Sequence, residues 1–367
     1  MHTKITLLSA ALIYSMQTSA APNDLFLQTK DLNAKTDSNL NLTFGLDAVN
    51  DTIDIFDIRQ SEGVADTSTG DYQGFHIKAQ YDINPQWAIE GAYWHREIEY
   101  SKDTNEIHSA LLGVRYNPQL NLDKNDHFVI RGSIWANRAD SINKKTPTNV
   151  NQRTFEQVNV QNPEDLQLQI DTIFSRKLDH MNQINLFASA GFSQVKVDNI
   201  NIRALNRGCL MDISVNKNNQ YTGNLVQECE IDKLIVKELK IQGDANEYGL
   251  DVKKDLNYDS YYAAIGGSWN WRYKNFESQL AYQYQRLWRD NIDDRVASFG
   301  NNAIKDNHTL GAKLSYDFSK KVTGFLQGEL YQHNFVGQIP FLYNGVTASR
   351  LDKRYGLVSL GVNFHHF

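Results

Sequence analysis

Apolar and polar residues alternate with a period of two in segments of about ten residues, and twelve such segments run along the chain. A strand patterned this way has one apolar and one polar face, and about ten residues is what a tilted strand needs to cross the hydrocarbon of a bilayer. The first segment sets Leu40, Leu42, Phe44, Leu46 and Ala48 against Asn41, Thr43, Gly45 and Asp47. No window of the chain after the N-terminus is apolar for the ~18 residues a membrane helix requires, and mean hydropathy is −0.52. Any crossing is therefore made by strands.

The same alternation returns with Phe75, Ile77, Ala79 and Tyr81, then after the turn Asn84-Pro85-Gln86 with Trp87, Ile89, Gly91 and Tyr93. It continues through Ala110 to Tyr116, Phe128 to Ala136, Leu166 to Phe174, Ile184 to Phe192 and Ala263 to Trp271. Four more segments, Phe276 to Tyr284, Leu310 to Phe318, Val322 to Leu330 and Val358 to Phe364, complete the set. Short connections alternate with long ones around residues 50–72, 138–164, 198–258, 289–306 and 332–353, and only the link around 101–107 departs from the long set. An even number of strands with short turns at one end and long loops at the other is the pattern of an up-and-down transmembrane barrel.

Closure follows physically, because lipid offers no partner to a free strand edge, so the first strand must pair with the last. The fold expected is all-β, a transmembrane antiparallel barrel of about twelve strands with short periplasmic turns and long extracellular loops. A soluble β-sandwich is the alternative, but it needs neither strands of such regular length nor aromatic residues at their ends. Here Trp87, Tyr116, Phe128, Trp271, Tyr273, Phe276, Tyr316 and Phe318 cluster beside the short turns, as an interfacial girdle would.

The N-terminus carries Lys4, an apolar run from Ile5 to Met16 and the small residues Thr18-Ser19-Ala20-Ala21. That reads as a secretory signal peptide over residues 1–20, followed by a periplasmic N-terminal segment at 21–38 and the barrel at 39–367. The only two cysteines, Cys209 and Cys229, lie in the polar stretch 198–258, the longest loop. In an exported chain they are expected to form a disulfide. Within the same loop, Leu234-Ile235-Val236 and Leu239-Lys240-Ile241 suit either a hairpin or a segment turned into the barrel, and periodicity leaves the choice open.

The chain ends Gly361-Val362-Asn363-Phe364-His365-His366-Phe367. This resembles the closing strand of Gram-negative outer-membrane proteins, which end on an aromatic residue; at the level of pattern the whole chain is porin-like. The resemblance implies the bacterial outer membrane as location, its lipid and lipopolysaccharide as surroundings, and recognition of the terminal strand by the barrel assembly machinery. Phe364 keeps the apolar parity and Phe367 does not, so a small bulge or a frayed end is expected.

With the apolar parity toward lipid, charged residues of the other parity line the lumen, foremost Lys78, Arg96, Arg115, Arg131, Arg272, Glu277, Asp317 and Glu329. If the registers bring them level, the first four form a basic stripe facing acidic Glu277, Asp317 and Glu329, and acidic solutes would be drawn to it. The function expected is passive passage of small hydrophilic solutes. A surface receptor, adhesin or secretion-assisting barrel acting on an extracellular protein partner through its long loops is the alternative. A third reading, a rim lipid hydrolase, rests on Ser101 and His108 near Glu99. No Gly-x-Ser-x-Gly elbow and no zinc-spaced His/Cys cluster occurs. The expectation is thus no catalytic site, no metal and no cofactor. A net charge of −6 speaks against nucleic acid.

Overall fold

The computed structural model describes residues 25–27, 29, 39–49, 71–100, 103–144, 148–150, 153–206, 208–231, 233–248, 251–255, 257–290, 305–331 and 355–365. The expected signal peptide, most of the loops at 50–72 and 332–353, Ser101, His366 and Phe367 lie outside them.

Twelve strands close into one antiparallel barrel. In chain order these are β1 (Leu40–Val49), β2 (Asp71–Asp82), β3 (Trp87–Tyr100), β4 (Asp103–Tyr116) and β5 (Asp126–Arg138), followed after the first outer excursion by β9 (Glu164–Lys177) and β10 (Asn182–Lys196). After the second come β17 (Tyr258–Tyr273), β18 (Phe276–Arg289), β19 (Asp306–Ser319), β20 (Val322–Tyr331) and β21 (Tyr355–His365). β1 pairs with β21 from Asn41↔His365 to Ala48↔Val358, which seals the ring. The register runs unbroken through Phe364 and His365, and the bulge or frayed end expected at His366 and Phe367 lies outside the described residues. Phe364 stays on the outer face, edge-on to Phe44 at 6.0 Å.

The alternation read from the sequence sets the two faces. Large apolar side chains of one parity stand fully outward, Leu112 being 69 % exposed, while Arg131, Asp171, Ser189 and Gln279 of the other parity are buried inside. In water so wide an apolar belt would be an aggregation surface; against acyl chains it is matched to its solvent. Among the described residues no helix is long and apolar enough to cross a membrane.

The short turns are organised by side chains. Asn84 Oδ1 accepts the backbone N–H groups of Gln86 and Trp87 at 2.8 and 2.9 Å, and Asp179 Oδ1 does the same for Met181 and Asn182 at 2.7 and 2.8 Å. Each is an Asx turn, which satisfies amides that the ladder leaves behind. At the same end Trp87 and Tyr116 pack with centroids 4.5 Å apart, part of the expected girdle.

At the opposite end the two largest excursions fold together. The first contains β6 (Ser141–Lys144), β7 (Thr148–Val150) and β8 (Arg153–Gln161). The second contains β11 (Asn199–Asn206), β12 (Cys209–Asn216), β13 (Gln220–Leu225), β14 (Cys229–Ile231), β15 (Leu234–Val236) and β16 (Lys240–Asp244). β8 pairs with β11, so both join one seven-stranded sheet ordered β16-β13-β12-β11-β8-β6, with β7 on β8. Ile142, Val160, Ile200, Ile202, Met211, Val215 and Tyr221 form its buried face. The stretch 198–258 is therefore a folded sheet with an apolar face, and its Leu234 to Val236 segment is one arm of the small β14–β15 hairpin. Cys209 and Cys229 are bonded, their Cα atoms 5.1 Å apart, and tie that hairpin to β12.

Candidate functional site: the barrel lumen

All eight charged residues singled out from the sequence sit on the lumen parity of their strands, but the registers do not assemble the two facing walls. Arg115 and Arg131 are direct cross-strand neighbours on β4 and β5. On β3, Arg115 is level with Ala88 and Lys78 with Ala92, four residues further along, while Arg96 is eight residues beyond Ala88. At ~3.3 Å per residue those offsets are about 13 and 26 Å, too far for one basic stripe. The acidic wall fails similarly. Arg272 binds Asp317 and lies 3.9 Å from Glu277, so both acids, on the next two strands β18 and β19, are held by it at the short-turn end. Glu329 is higher on β20, level with Gly311, and takes a hydrogen bond from Gln327 at 2.6 Å.

Charge is instead neutralised locally. Glu90 on β3 accepts from Arg131 Nε and lies 3.6 Å from Arg115, and Arg131 Nη1 reaches Asp171 on β9 at 3.1 Å. Arg115 also donates to Gln80 Oε1 at 3.4 Å, and Gln80 to Asp82 at 3.1 Å. At the far side Gln169 donates to Asp171 at 2.6 Å and accepts from the Tyr262 hydroxyl at 2.9 Å. The chain Asp82–Gln80–Arg115–Glu90–Arg131–Asp171–Gln169–Tyr262 thus girdles half the lumen. Two glycines make it possible. Glu90 crosses β4 over Gly113 and Tyr262 crosses β10 over Gly191, where a Cβ would meet the Glu90 carboxylate at 2.5 Å and the Tyr262 ring at 2.1 Å.

Nearer the long-loop end, Arg96 is fully buried between Trp94 and Trp135, whose rings lie 5.6 and 5.7 Å from its guanidinium, and it donates to Ser109 at 2.9 Å. Lys78 stands over the Trp94 ring at 5.4 Å. His76 and Asp47 form a separate buried pair at 2.9 Å, with Ser359 donating to the same carboxylate at 2.5 Å.

A charge-based reading missed the neutral groups, which dominate one wall. Asn185, Ser189 and Ser193 on β10, Ser260, Ser268 and Asn270 on β17, and Gln279, Gln283 and Gln285 on β18 are all buried and all face inward. Several of their atoms, namely both amide atoms of Gln285, Oε1 of Gln283 and the hydroxyls of Ser189, Ser193 and Ser260, have no hydrogen-bond partner among the described residues. The sequence signal was present, because serine, asparagine and glutamine take several of the inward-parity positions of these three strands. A paired, closed ring with an apolar outside and a hydrogen-bonding inside admits one setting. The chain is a membrane-spanning β-barrel of twelve strands.

No family model matches this barrel, and no curated protein matches it. Solved structures similar to it include the translocator domain of the autotransporter NalP from Neisseria meningitidis (8 % identity, 90 % of each chain covered, TM-score 0.48). Others are the COG4313 outer membrane channel from Pseudomonas putida F1 (7 %, 92 % of this chain and 99 % of that one, 0.41) and the KdgM porin in complex with disordered oligogalacturonate (6 %, 89 % and 99 %, 0.38). The likeness is loose, and the architecture stands on this chain's own strand pairing and burial.

The N-terminal segment also enters the lumen. Leu25, Leu27 and Thr29 are 0, 2 and 3 % exposed, and Leu27 packs on Val129, Ile173 and Phe187. Residues read as a periplasmic segment thus contact the inner wall. Of the hydrolase residues, His108 faces outward on β4, its Nδ1 hydrogen-bonded with the Tyr93 hydroxyl at 2.7 Å and its ring 5.1 Å from that of His95. An outer-face histidine held in an aromatic cluster is an interfacial anchor. Among the described residues no group of three His, Cys, Asp or Glu side chains converges on a metal position.

Proposed function

We propose that the barrel is a channel for small hydrophilic solutes, with neutral, hydroxyl-rich molecules preferred over ions. The observation that carries this reading is the wall of amides and hydroxyls on β10, β17 and β18, with buried polar atoms that no group among the described residues satisfies. Leaving such atoms dry costs about 1–3 kcal/mol each, so each calls for a hydrogen-bonding guest held against the wall. Water, or the hydroxyls of a solute, satisfies them. The pairing of Arg115 and Arg131 with Glu90 and Asp171 removes the reason to expect attraction of acidic solutes in particular. Lipopolysaccharide around the apolar belt and recognition of β21 by the assembly machinery belong to the same proposal.

The test is osmotic swelling of liposomes carrying the refolded protein. Neutral sugars are expected to enter faster than anions of the same size, and both faster than in protein-free liposomes. Swelling no faster than the protein-free control ends the channel reading.

One observation favours a second role beside it. The outer sheet is a folded, disulfide-tied platform that exposes Leu234 and Ile235 at the hairpin, which suits binding of an extracellular protein. Removing residues 226–239 would abolish such binding while leaving sugar permeation unchanged.

A further inference from the structure

Leu25, Phe26, Leu27 and Thr29 bridge part of the barrel interior. Leu27 rests on Val129, Ile173 and Phe187, which the register places side by side on β5, β9 and β10. Two residues on, Thr29 donates its backbone N–H to Ser175 Oγ at 3.2 Å, on the same wall nearer the periplasmic end. In the other direction the segment lies against β19, four strands round the ring from β9. A Cβ on Gly311 there would meet Leu25 Cδ2 at 2.3 Å and the Phe26 ring at 2.9 Å.

These contacts form a built receptor. Val129, Ile173 and Phe187 make an apolar recess beside a wall of amides and hydroxyls, and Leu27 fills it. Gly113 and Gly191 are covered by large side chains from the adjacent strand, whereas Gly311 is covered by the N-terminal segment. The described part of the segment takes no strand conformation, so it can leave without breaking any barrel ladder. Its attachment to β1, whose Leu40 follows Thr29 by eleven positions, keeps it at high local concentration when it does leave.

We infer that Leu25, Phe26, Leu27 and Thr29 belong to a tethered plug. Seated, the plug narrows the path along the lumen; released, it widens the path and uncovers the recess at Val129, Ile173 and Phe187. The inference rests on the channel reading, and two measurements separate the two. The first is thiol reactivity of Leu27→Cys, which is clean because the two native cysteines are bonded to each other. In the folded barrel this thiol is expected to react with a maleimide at least tenfold more slowly than after unfolding in urea. The second is planar-bilayer current. Leu27→Asp puts a charge into the recess, and Gly311→Val puts methyl groups where Leu25 lies. Each is expected to raise the mean current several-fold over the native chain. Fast labelling of Leu27→Cys in the folded barrel would overturn the seated plug, whatever the currents are. Slow labelling with unchanged current in both charge and methyl variants would overturn its gating role and leave the channel standing. Absence of current from all three proteins, with neutral sugars also excluded, would overturn both.

Discussion

The hydroxyl of Tyr262 on β17 donates to Gln169 Oε1 on β9 at 2.9 Å, although β10 runs between the two strands. The register aligns Gln169, Gly191 and Tyr262 in one row, and the missing side chain at Gly191 is what lets the ring lie flat across the middle strand. Gly191→Ala is accordingly expected to displace the ring, break the bond to Gln169 and cost about 1–3 kcal/mol, the usual range for overpacking. Urea unfolding in lipid vesicles measures the loss. Tyr262→Phe should cost less in the Gly191→Ala background than in the native protein, because the bond is already gone.

Arg131 lies between Glu90 and Asp171, and all three belong to the lumen. Arg131→Met leaves two carboxylates facing each other without their shared cation, which for a buried pair costs on the order of 3–5 kcal/mol. The lumen also gains net negative charge, so reversal potentials in a salt gradient should shift toward cation selectivity. A variant of native stability with unchanged selectivity would show that Arg131 is not part of the conducting wall.

Breaking the Cys209–Cys229 bond acts on the outer sheet alone, since both residues lie beyond the barrel strands. Its sequence separation of 20 corresponds to roughly 3 kcal/mol of chain-entropy stabilisation. Replacing both cysteines with serine should make residues 206–239 the first site of proteolysis. The barrel itself should keep the retarded or advanced gel mobility that distinguishes its folded form from the boiled one.

Arg203 and Asp212 pair across β11 and β12 through two hydrogen bonds of 2.7 and 2.8 Å. The hydrogen bonds from Arg203 hold the Asp212 carboxyl below its ordinary value, against a smaller opposing effect of burial. The contribution of a depressed carboxylate is present above its unfolded pKa, ~3.9, and fades as pH falls through the lower folded value. Both groups are largely exposed, so the pair is worth at most about 1 kcal/mol. Proteolytic resistance of the outer sheet should therefore differ slightly between native and Asp212→Asn proteins at neutral pH, and the difference should shrink as the pH is taken down into the acid range.

The twelve strands, their order and the face each residue takes were legible in the sequence because a period of two leaves no freedom. Slipping Leu40 to Ala48 by one position would turn five apolar side chains inward and Asp47 toward lipid. Alternating connection lengths then determine which end each turn occupies. The pairing of Cys209 with Cys229 was legible for a simpler reason, there being no third cysteine.

The composition of the lumen was decided only by tertiary structure. Parity places Lys78, Arg96, Arg115 and Arg131 inside, but their height depends on the stagger between strands, which no local pattern encodes. The partners they find, such as Glu90 for Arg131, depend on Gly113 on the strand that runs between them. Pairing of β8 with β11 joined two loops that the sequence shows as separate polar stretches, because strands 38 residues apart at Gln161 and Asn199 meet only once β9 and β10 have been laid side by side. Leu25 and Leu27 carried no periodic signal of their own, and only the closed ring supplied the recess that buries them.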